Sequence, residues 1–348
     1  MNAEVAYRYR ERKAEVEELG EEQHRRHALK HLKLKTVLKE SHCQPVQALA
    51  FNTLDAQCGN LFATVGADQA AVYDDQHMGD FIGVVVHFVN QPTPLTKGGE
   101  LRACAWLRTE GWTQHPQGDA CMAIAGAAGD ISVISVVEAR VITLLRGHSR
   151  EVIDLVASAA RPGLLASLAR DGNLRVWDAA CGACLASHES DATALALHSD
   201  GSQLATVDGL LFLPGGRLVS KSADGRAFVW DYAARRKLAS WKVPGCGVSA
   251  AAGGRCRMGT TPCGDYVCAG NDGGGVYVFD AATGERVVHV SPIKVTAPVR
   301  ACGLSADCRH LLAACGNGYI FRFEYARPEL GAAGGEQDSA SDDEDDKC

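Results

Sequence analysis

Hydrophobic and polar positions alternate along most of this chain in short bursts, and the bursts come in pairs. LFATVGADQAAVYD (61–74), CMAIAGAAGDISVISV (121–136), LLASLARDGNLRVWD (164–178), RLVSKSADGRAFVWD (217–231), YVCAGNDGGGVYVFD (266–280) and LLAACGNGYIFRFE (311–324) share one plan. An apolar strand of small residues leads to a turn rich in Gly, Asp or Asn. An alternating strand follows and ends near an aromatic–acid pair. Two such strands around a tight turn read as a β-hairpin.

The second strands end at 74, 136, 178, 231, 280 and 324, so the intervals are 62, 42, 53, 49 and 44 residues. A period of about 40–45 with a Trp-Asp ending resembles the WD-repeat pattern. One unit is nearly complete: Gly147-His148, then Asp171, then Trp177-Asp178. The resemblance implies that His148, Ser167, Asp171 and Trp177 form a buried hydrogen-bond network with a structural role. Such a network must satisfy every member in a low-dielectric interior, which restricts the residue types. The expected fold is all-β, a WD-repeat β-propeller.

The flanks read differently. Leu32, Leu34 and Thr36 alternate with Lys33, Lys35 and Val37, and WD-repeat proteins commonly use such an N-terminal strand to complete the last blade. Closure of that kind removes an exposed sheet edge. Residues 1–31 read as a charged helix with Gly20 as a break. After Arg327-Pro328 the chain runs into a Gly/Ala linker and the acidic EQDSASDDEDD, which is too polar to bury itself and reads as disordered. The expected division is therefore a helical segment 1–31, a propeller 32–327 and an acidic tail 328–348.

One stretch breaks the rhythm. Two first-strand candidates, SQLATVD (202–208) and RLVSKS (217–222), lie between Trp177-Asp178 and Trp230-Asp231, and only the second has a partner strand after it. The pattern allows six blades with an insertion, or seven with one truncated near 203–216.

Particular residues are similar to the ESC/EED/FIE family, the WD-repeat subunit of Polycomb histone methyltransferase complexes. Gln44-Pro45 leads to Phe51-Asn52 and Leu54-Asp55-Ala56. Phe62-Ala63-Thr64-Val65-Gly66 precedes Tyr73, and Cys104-Ala105-Trp106, Gly147-His148, Ser220-Lys221-Ser222 and Val299-Arg300 follow in the family's order. The similarity runs over roughly 32–324. The family has a full blade before Ser-Lys-Ser, so the resemblance implies seven blades with one truncated. It also implies a SET-domain catalytic subunit as partner, a histone tail as a further one, and a nuclear location.

Family members hold a trimethylated lysine in an aromatic cage at one end of the channel, through cation–π attraction of about 0.5–2 kcal/mol per ring. The cage-equivalent positions here are Gln47, Arg102, Cys256 and Arg257. None is aromatic, and a guanidinium repels a methylammonium. The resemblance thus implies the scaffold role without the reader role.

Composition narrows the field. Apolar residues make up 46% of 348, enough for a large core, while 37 glycines beside only 6% aromatics suit a fold of many tight turns. The net charge of −7 sits almost wholly in residues 336–348, which carry seven acids and one lysine. The remainder is near neutral, so neither nucleic acid nor an anionic membrane is an expected partner. No apolar run is long enough to span a bilayer, and the charged N-terminus lacks a signal-peptide core. The 14 cysteines are expected to be reduced, those in apolar runs (Cys104, Cys121, Cys268, Cys315) serving as small buried hydrophobes.

Cys181-Gly182-Ala183-Cys184 is a CxxC without a second pair, on the turn expected after Trp-Asp. His24, His27 and His31 share a helical face, but Arg25 and Arg26 beside them disfavour a metal, and a solvated face is the expectation. GGRLVSKS (215–222) lacks the second glycine of a phosphate loop. No catalytic motif appears, and neither enzyme activity nor a cofactor is expected. Ser339 and Ser341 precede acids, as acid-directed kinases prefer, though a plain solubilising tail is the simpler reading. RYRERK and HRRHALKHLKLK resemble weak import signals. Besides the Polycomb scaffold, two alternatives stay open: an origin-recognition-associated WD-repeat chromatin protein, and an adaptor such as a ubiquitin-ligase substrate receptor.

Overall fold

Each strand pair read from the sequence is present in the computed structural model, flanked by one further strand on each side. The structure describes residues 13–77, 81–94, 97–109, 119–190, 192, 194–197, 204–206, 210–222, 224–246, 257–292 and 297–328. The acidic tail and residues 1–12 lie outside them.

Among the described residues, six four-stranded antiparallel sheets form the blades. The first comprises Val46–Phe51, Leu61–Gly66, Gln69–His77 and Phe81–Val89. The second comprises Leu101–Leu107, Cys121–Gly126, Ile131–Ser135 and Arg140–Leu145. The third comprises Val152–Ala157, Leu164–Ala169, Asn173–Asp178 and Ala183–Glu189. The fourth comprises Leu210–Leu213, Arg217–Lys221, Arg226–Asp231 and Arg236–Lys242. The fifth comprises Gly259–Thr260, Tyr266–Gly270, Val276–Asp280 and Arg286–Val290. The sixth takes Val299–Leu304, His310–Cys315 and Tyr319–Tyr325 from the end of the chain, and Leu32–Lys39 from its beginning.

Burial explains the composition. In the second blade the strand Cys121–Gly126 is buried at every position, whereas the outer strand Ala183–Glu189 of the third blade is exposed nearly throughout. Strands covered on both faces by neighbouring blades lose the polar alternation of a half-buried strand. Small residues there let the blades approach closely. The four cysteines expected in the core are indeed buried and form no disulfide, and burial pushes the Cys104 thiol up to about 12.

The strand expected at 32–39 closes the ring. It pairs antiparallel with Tyr319–Tyr325, from Leu32 opposite Tyr325 to Lys39 opposite Tyr319. The seam between the last and first blades is packed by Val46, Phe62, Tyr73, Leu312 and Ile320. It also holds charge. Asp75 of the first blade contacts His310 Nδ1 of the sixth, and Arg322 Nη1 donates to the Asp75 carbonyl at 2.8 Å. The second guanidinium nitrogen, Nη2, donates to Glu324 at 2.9 Å. Arg322 and Asp75 have no exposed surface.

A two-stranded sheet, Leu195–Leu197 with Leu204–Thr206, stands between the third and fourth blades. Leu195–Leu197 touches the inner strands of both. The stretch near 203–216, expected to be one truncated blade, is divided instead: Leu204–Thr206 pairs with Leu195–Leu197, and Leu210–Leu213 serves as inner strand of the complete fourth blade, so the described residues make six four-stranded blades. The reason is local: Leu210–Leu213 finds its partner in Arg217–Lys221 across a short turn, and the nearest strand wins.

The N-terminal segment is helical over 13–19 and again over Glu21–Lys30, with Gly20 at φ 77° between them. Glu21 and Glu22 in the first turn and Lys30 in the last suit the helix dipole. Leu29 is fully buried among Val287, Val288 and the core of the last two blades, worth about 1.5–3 kcal/mol. Arg26 reaches Asp280 at 3.2 Å and Glu285 at 2.8 Å.

The histidine face is corrected by this docking. It is not solvated: His24 is 2% exposed, and the rings of His24, His27 and His31 all lie against Tyr325. Burial, then the neighbouring His31, lowers the pKa of His27. Three imidazoles spaced for one face were placed by an aromatic partner in a distant strand, which local spacing does not reveal.

Candidate functional site

The WD-type network assembles as its residue types require. His148 lies in the loop entering the third blade, Ser167 on its second strand, Asp171 in the turn and Trp177 on the third strand. Trp177 Nε1 donates to Ser167 Oγ at 2.7 Å, Ser167 Oγ contacts His148 Nε2 at 2.7 Å, and His148 Nδ1 meets Asp171 Oδ2 at 3.0 Å. One proton placement satisfies all of them: the serine hydroxyl donates to Nε2 and the imidazole donates from Nδ1 to the carboxylate. Burial, opposed by Asp171, lowers the pKa of His148 and keeps it neutral. Burial works against the Asp171 charge, but the Ser149 amide, His148 and the Asn173 amide outweigh it and hold its pKa below the usual carboxylate range. The loop is pressed against the second blade, where a Cβ on Gly129 (φ 80°) would sit 2.7 Å from the His148 carbonyl. This network is completed by the Ser149 and Asn173 amides on Asp171.

The first blade carries a counterpart built from other residue types. Thr64 lies two residues past Phe62, the residue opposite Tyr73, as Ser167 lies two past Leu165, the residue opposite Trp177. Thr64 donates to Glu40 Oε1 at 2.6 Å, and Tyr73 donates to Glu40 Oε2 at 2.9 Å. Glu40, 3% exposed, thus takes the histidine's place in the loop after the closing strand. Ser220 and Trp230 repeat the last step, at 3.0 Å. Equal register positions reveal these relatives of the network; residue identity hides them.

Two of the positions expected to be cage-equivalent, Gln47 and Arg102, share a register position with Ile153 and Arg300. Gln47, Arg102, Ile153 and Arg300 are each the second residue of an inner strand, and at each the register slips. Bulges of this kind re-aim a side chain. None of the four is aromatic. Arg102 Nε donates to Glu151 Oε1 at 2.8 Å and its Nη2 to Glu100 at 3.0 Å, while Arg170 Nε donates to the other Glu151 oxygen at 2.6 Å. Cys256 lies outside the described residues.

Arg257 sits one residue further along. Its backbone bridges to Ala301, the residue after Arg300. Its side chain crosses to the third blade, where Nη1 donates to Asp154 Oδ1 and Nη2 to the Ile153 carbonyl at 3.0 Å. Burial works against the charge of Arg257, but Asp154 outweighs it and raises the guanidinium pKa. Of the positions proposed as cage-equivalent, then, Gln47 and Arg102 share a register position, and Arg257 belongs to a different contact. Its pairing with Asp154 spans 103 residues and has no sequence signature.

Cys181, on the turn after Trp177-Asp178, and Cys184, on the outer strand that follows it, are exposed thiols. Among the described residues no group of three or more His, Cys, Asp or Glu is placed to hold a metal ion. No described helix is long and apolar enough to cross a membrane.

Comparison with known proteins agrees with this architecture. The family model for the WD domain, G-beta repeat, matches residues 139–178 and 179–231, the second, third and fourth blades in part. Polycomb group protein FIE2 of Zea mays is 25% identical over 142 residues, covering 41% of this chain and 35% of its own length. Polycomb protein esc of Drosophila melanogaster is 26% identical over 202 residues, 57% of this chain and 43% of its own. Polycomb protein EED of Chaetomium thermophilum is 31% identical over 100 residues, 26% of this chain and 18% of its own. The chain spans about a third of the length of the first of these relatives. It is a WD-repeat β-propeller similar to the ESC/EED/FIE family of Polycomb-group proteins.

Proposed function

We propose that this chain is a non-catalytic scaffold subunit of a Polycomb-type histone lysine methyltransferase complex, acting in the nucleus in repressive histone methylation. The observation that carries this reading is the agreement of relatives from a plant, an insect and a fungus, all Polycomb proteins. The partner is a SET-domain catalytic subunit, docked on a ring that needs no cofactor. The ring is read as seven-bladed, with the sheet at 195–206 as a reduced blade, because that sheet touches the inner strands of both neighbours. The chain divides into a helical segment 1–31, the propeller 32–327 and a solubilising tail 328–348.

The test is purification of the tagged protein from its source cells with mass spectrometry of what accompanies it. A SET-domain methyltransferase in near-equal amount is expected. Replication factors or cullin-linked subunits instead would replace this reading with the origin-associated or the adaptor one.

A reader of methyl-lysine is not part of the proposal, since Gln47, Arg102 and Arg257 supply no ring. Trimethyl-lysine histone peptides are expected to bind no better than unmethylated ones. A methyl preference of about tenfold in a titration, the worth of one good cation–π contact, overturns that expectation.

A further inference from the structure

One pair of positions marks the seam between neighbouring blades. It joins the second strand to the third, as Leu165 opposite Trp177 and Val267 opposite Phe279 do, and packs on the blade before. In five of the six blades both members of this pair are at most 4% exposed. The fourth blade is the exception. Leu218 and Trp230, opposite each other at that register, are only half-buried, as is Phe228 beside them. Apolar surface left open on a sheet face marks an interaction site.

The cause lies in what precedes this blade. The sheet before it has two strands among the described residues, and Leu204–Thr206 pairs on one side only, with Leu195–Leu197. At the seam before the third blade, by contrast, outer strands supply much of the cover, and Ile131, Val133 and Leu145 share a core with Trp177. Ahead of the fourth blade no described strand stands in their place. Across the gap, Leu174 and half-buried Val176 of the third blade form a small cluster with Leu195. Both walls are therefore apolar, and a one-sided strand edge offers its N–H and C=O groups to an incoming strand.

Charge decides the occupant. Arg226 and Lys242, opposite each other, and Lys237, opposite Trp230, lie on the same face of the fourth blade as Phe228. Lys237 Nζ stands over the Phe228 ring at 5.6 Å, and Asp224 accompanies Arg226 at 3.4 Å. Three cations against one acid leave the face positive. A second copy docked here about a two-fold axis would set these cations against their own duplicates. A strand that is apolar in its middle and acidic at its ends meets both the rings and the cations.

We propose that the gap between the third and fourth blades receives a β-hairpin of a partner protein, apolar on both faces and acidic at its ends, which continues the sheet from Leu204–Thr206 and covers Leu218, Phe228 and Trp230. The proposal rests on this gap alone and stands whether or not the chain joins a methyltransferase complex.

The test titrates the full chain with hairpin peptides of Val and Thr around an Asn-Gly turn, ended by Glu-Glu or by Lys-Lys. The Glu-ended peptide is expected to shift tryptophan emission to the blue as Trp230 loses water, and to raise the melting midpoint. It is expected to bind about tenfold more tightly than the Lys-ended one at low salt. Trp230→Phe should remove the emission shift and keep the rise in midpoint. Lys237→Glu with Lys242→Glu, both at exposed positions, should reverse the preference between the two peptides. A Glu-ended peptide with Pro at alternate strand positions cannot complete the ladder and is expected to do nothing. The proposal is overturned by a flat response to the Glu-ended hairpin, by equal responses to both ends, or by an equal response to the Pro peptide. An emission shift that survives Trp230→Phe, or a preference that survives the lysine reversal, places the binding elsewhere and overturns it too. So does light scattering that shows the free chain as a dimer dispersed by Phe228→Glu, since a second copy then fills the gap.

Discussion

Asp75→Ala is expected to lower the unfolding free energy by about 3–5 kcal/mol, because it leaves the wholly buried guanidinium of Arg322 short of its carboxylate. Arg322 would retain the Asp75 backbone carbonyl and Glu324, but Glu324 is itself partly exposed and screened. His310 would lose its carboxylate as well. The informative comparison is the double variant Asp75→Asn with Arg322→Met. Removing both charges of a buried pair is often nearly neutral, so the double variant should recover much of what the single one loses. Urea unfolding followed by tryptophan fluorescence reads both. A loss below about 1 kcal/mol for Asp75→Ala would mean that water reaches the seam and the pair is worth no more than an exposed one.

Trp177→Ala carries an expected loss of similar size, about 3–5 kcal/mol, since it removes a fully buried indole from the core between the second and third blades as well as the donor to Ser167. His148→Ala and Asp171→Ala each strand buried partners, at about 1–3 kcal/mol. For a chain of this size each kcal/mol lowers the melting midpoint by about 2–4 °C. The members share one chain of hydrogen bonds, so His148→Ala should cost less in a Ser167→Ala background than alone. Unchanged midpoints in both His148→Ala and Asp171→Ala would sink the network as a source of stability.

The third blade was the most legible part of the chain because its chemistry is local. His148, Ser167, Asp171 and Trp177 fall within one repeat, and each residue type is the one the hydrogen-bond chain demands. The closing strand was legible for a related reason, as alternation at Leu32, Leu34 and Thr36 signals a strand before its partner is known. Contacts between distant repeats left no such trace. Asp75 meets His310 across 235 residues, and Arg257 meets Asp154 across 103. Glu40, Thr64 and Tyr73 were passed over because their types differ, though the spacing of Thr64 and Tyr73 nearly matches that of Ser167 and Trp177. The histidines failed in the other direction. Their spacing was read correctly as one helical face, but Tyr325, on a strand at the far end of the chain, decides that the face is covered.

Ring closure by Leu32–Lys39 also sets a timetable for biosynthesis. The partner strand Tyr319–Tyr325 leaves the ribosome after every other described strand, so Leu32–Lys39 must wait for it. At about 5–20 residues per second that wait is roughly a quarter of a minute to a minute. Throughout it, a lysine-rich strand has no partner and the face of the first blade that packs on the sixth stays uncovered. The alternating lysines of LKLKTVLK then act as gatekeepers, discouraging the nascent strand from pairing with another copy before its own partner arrives.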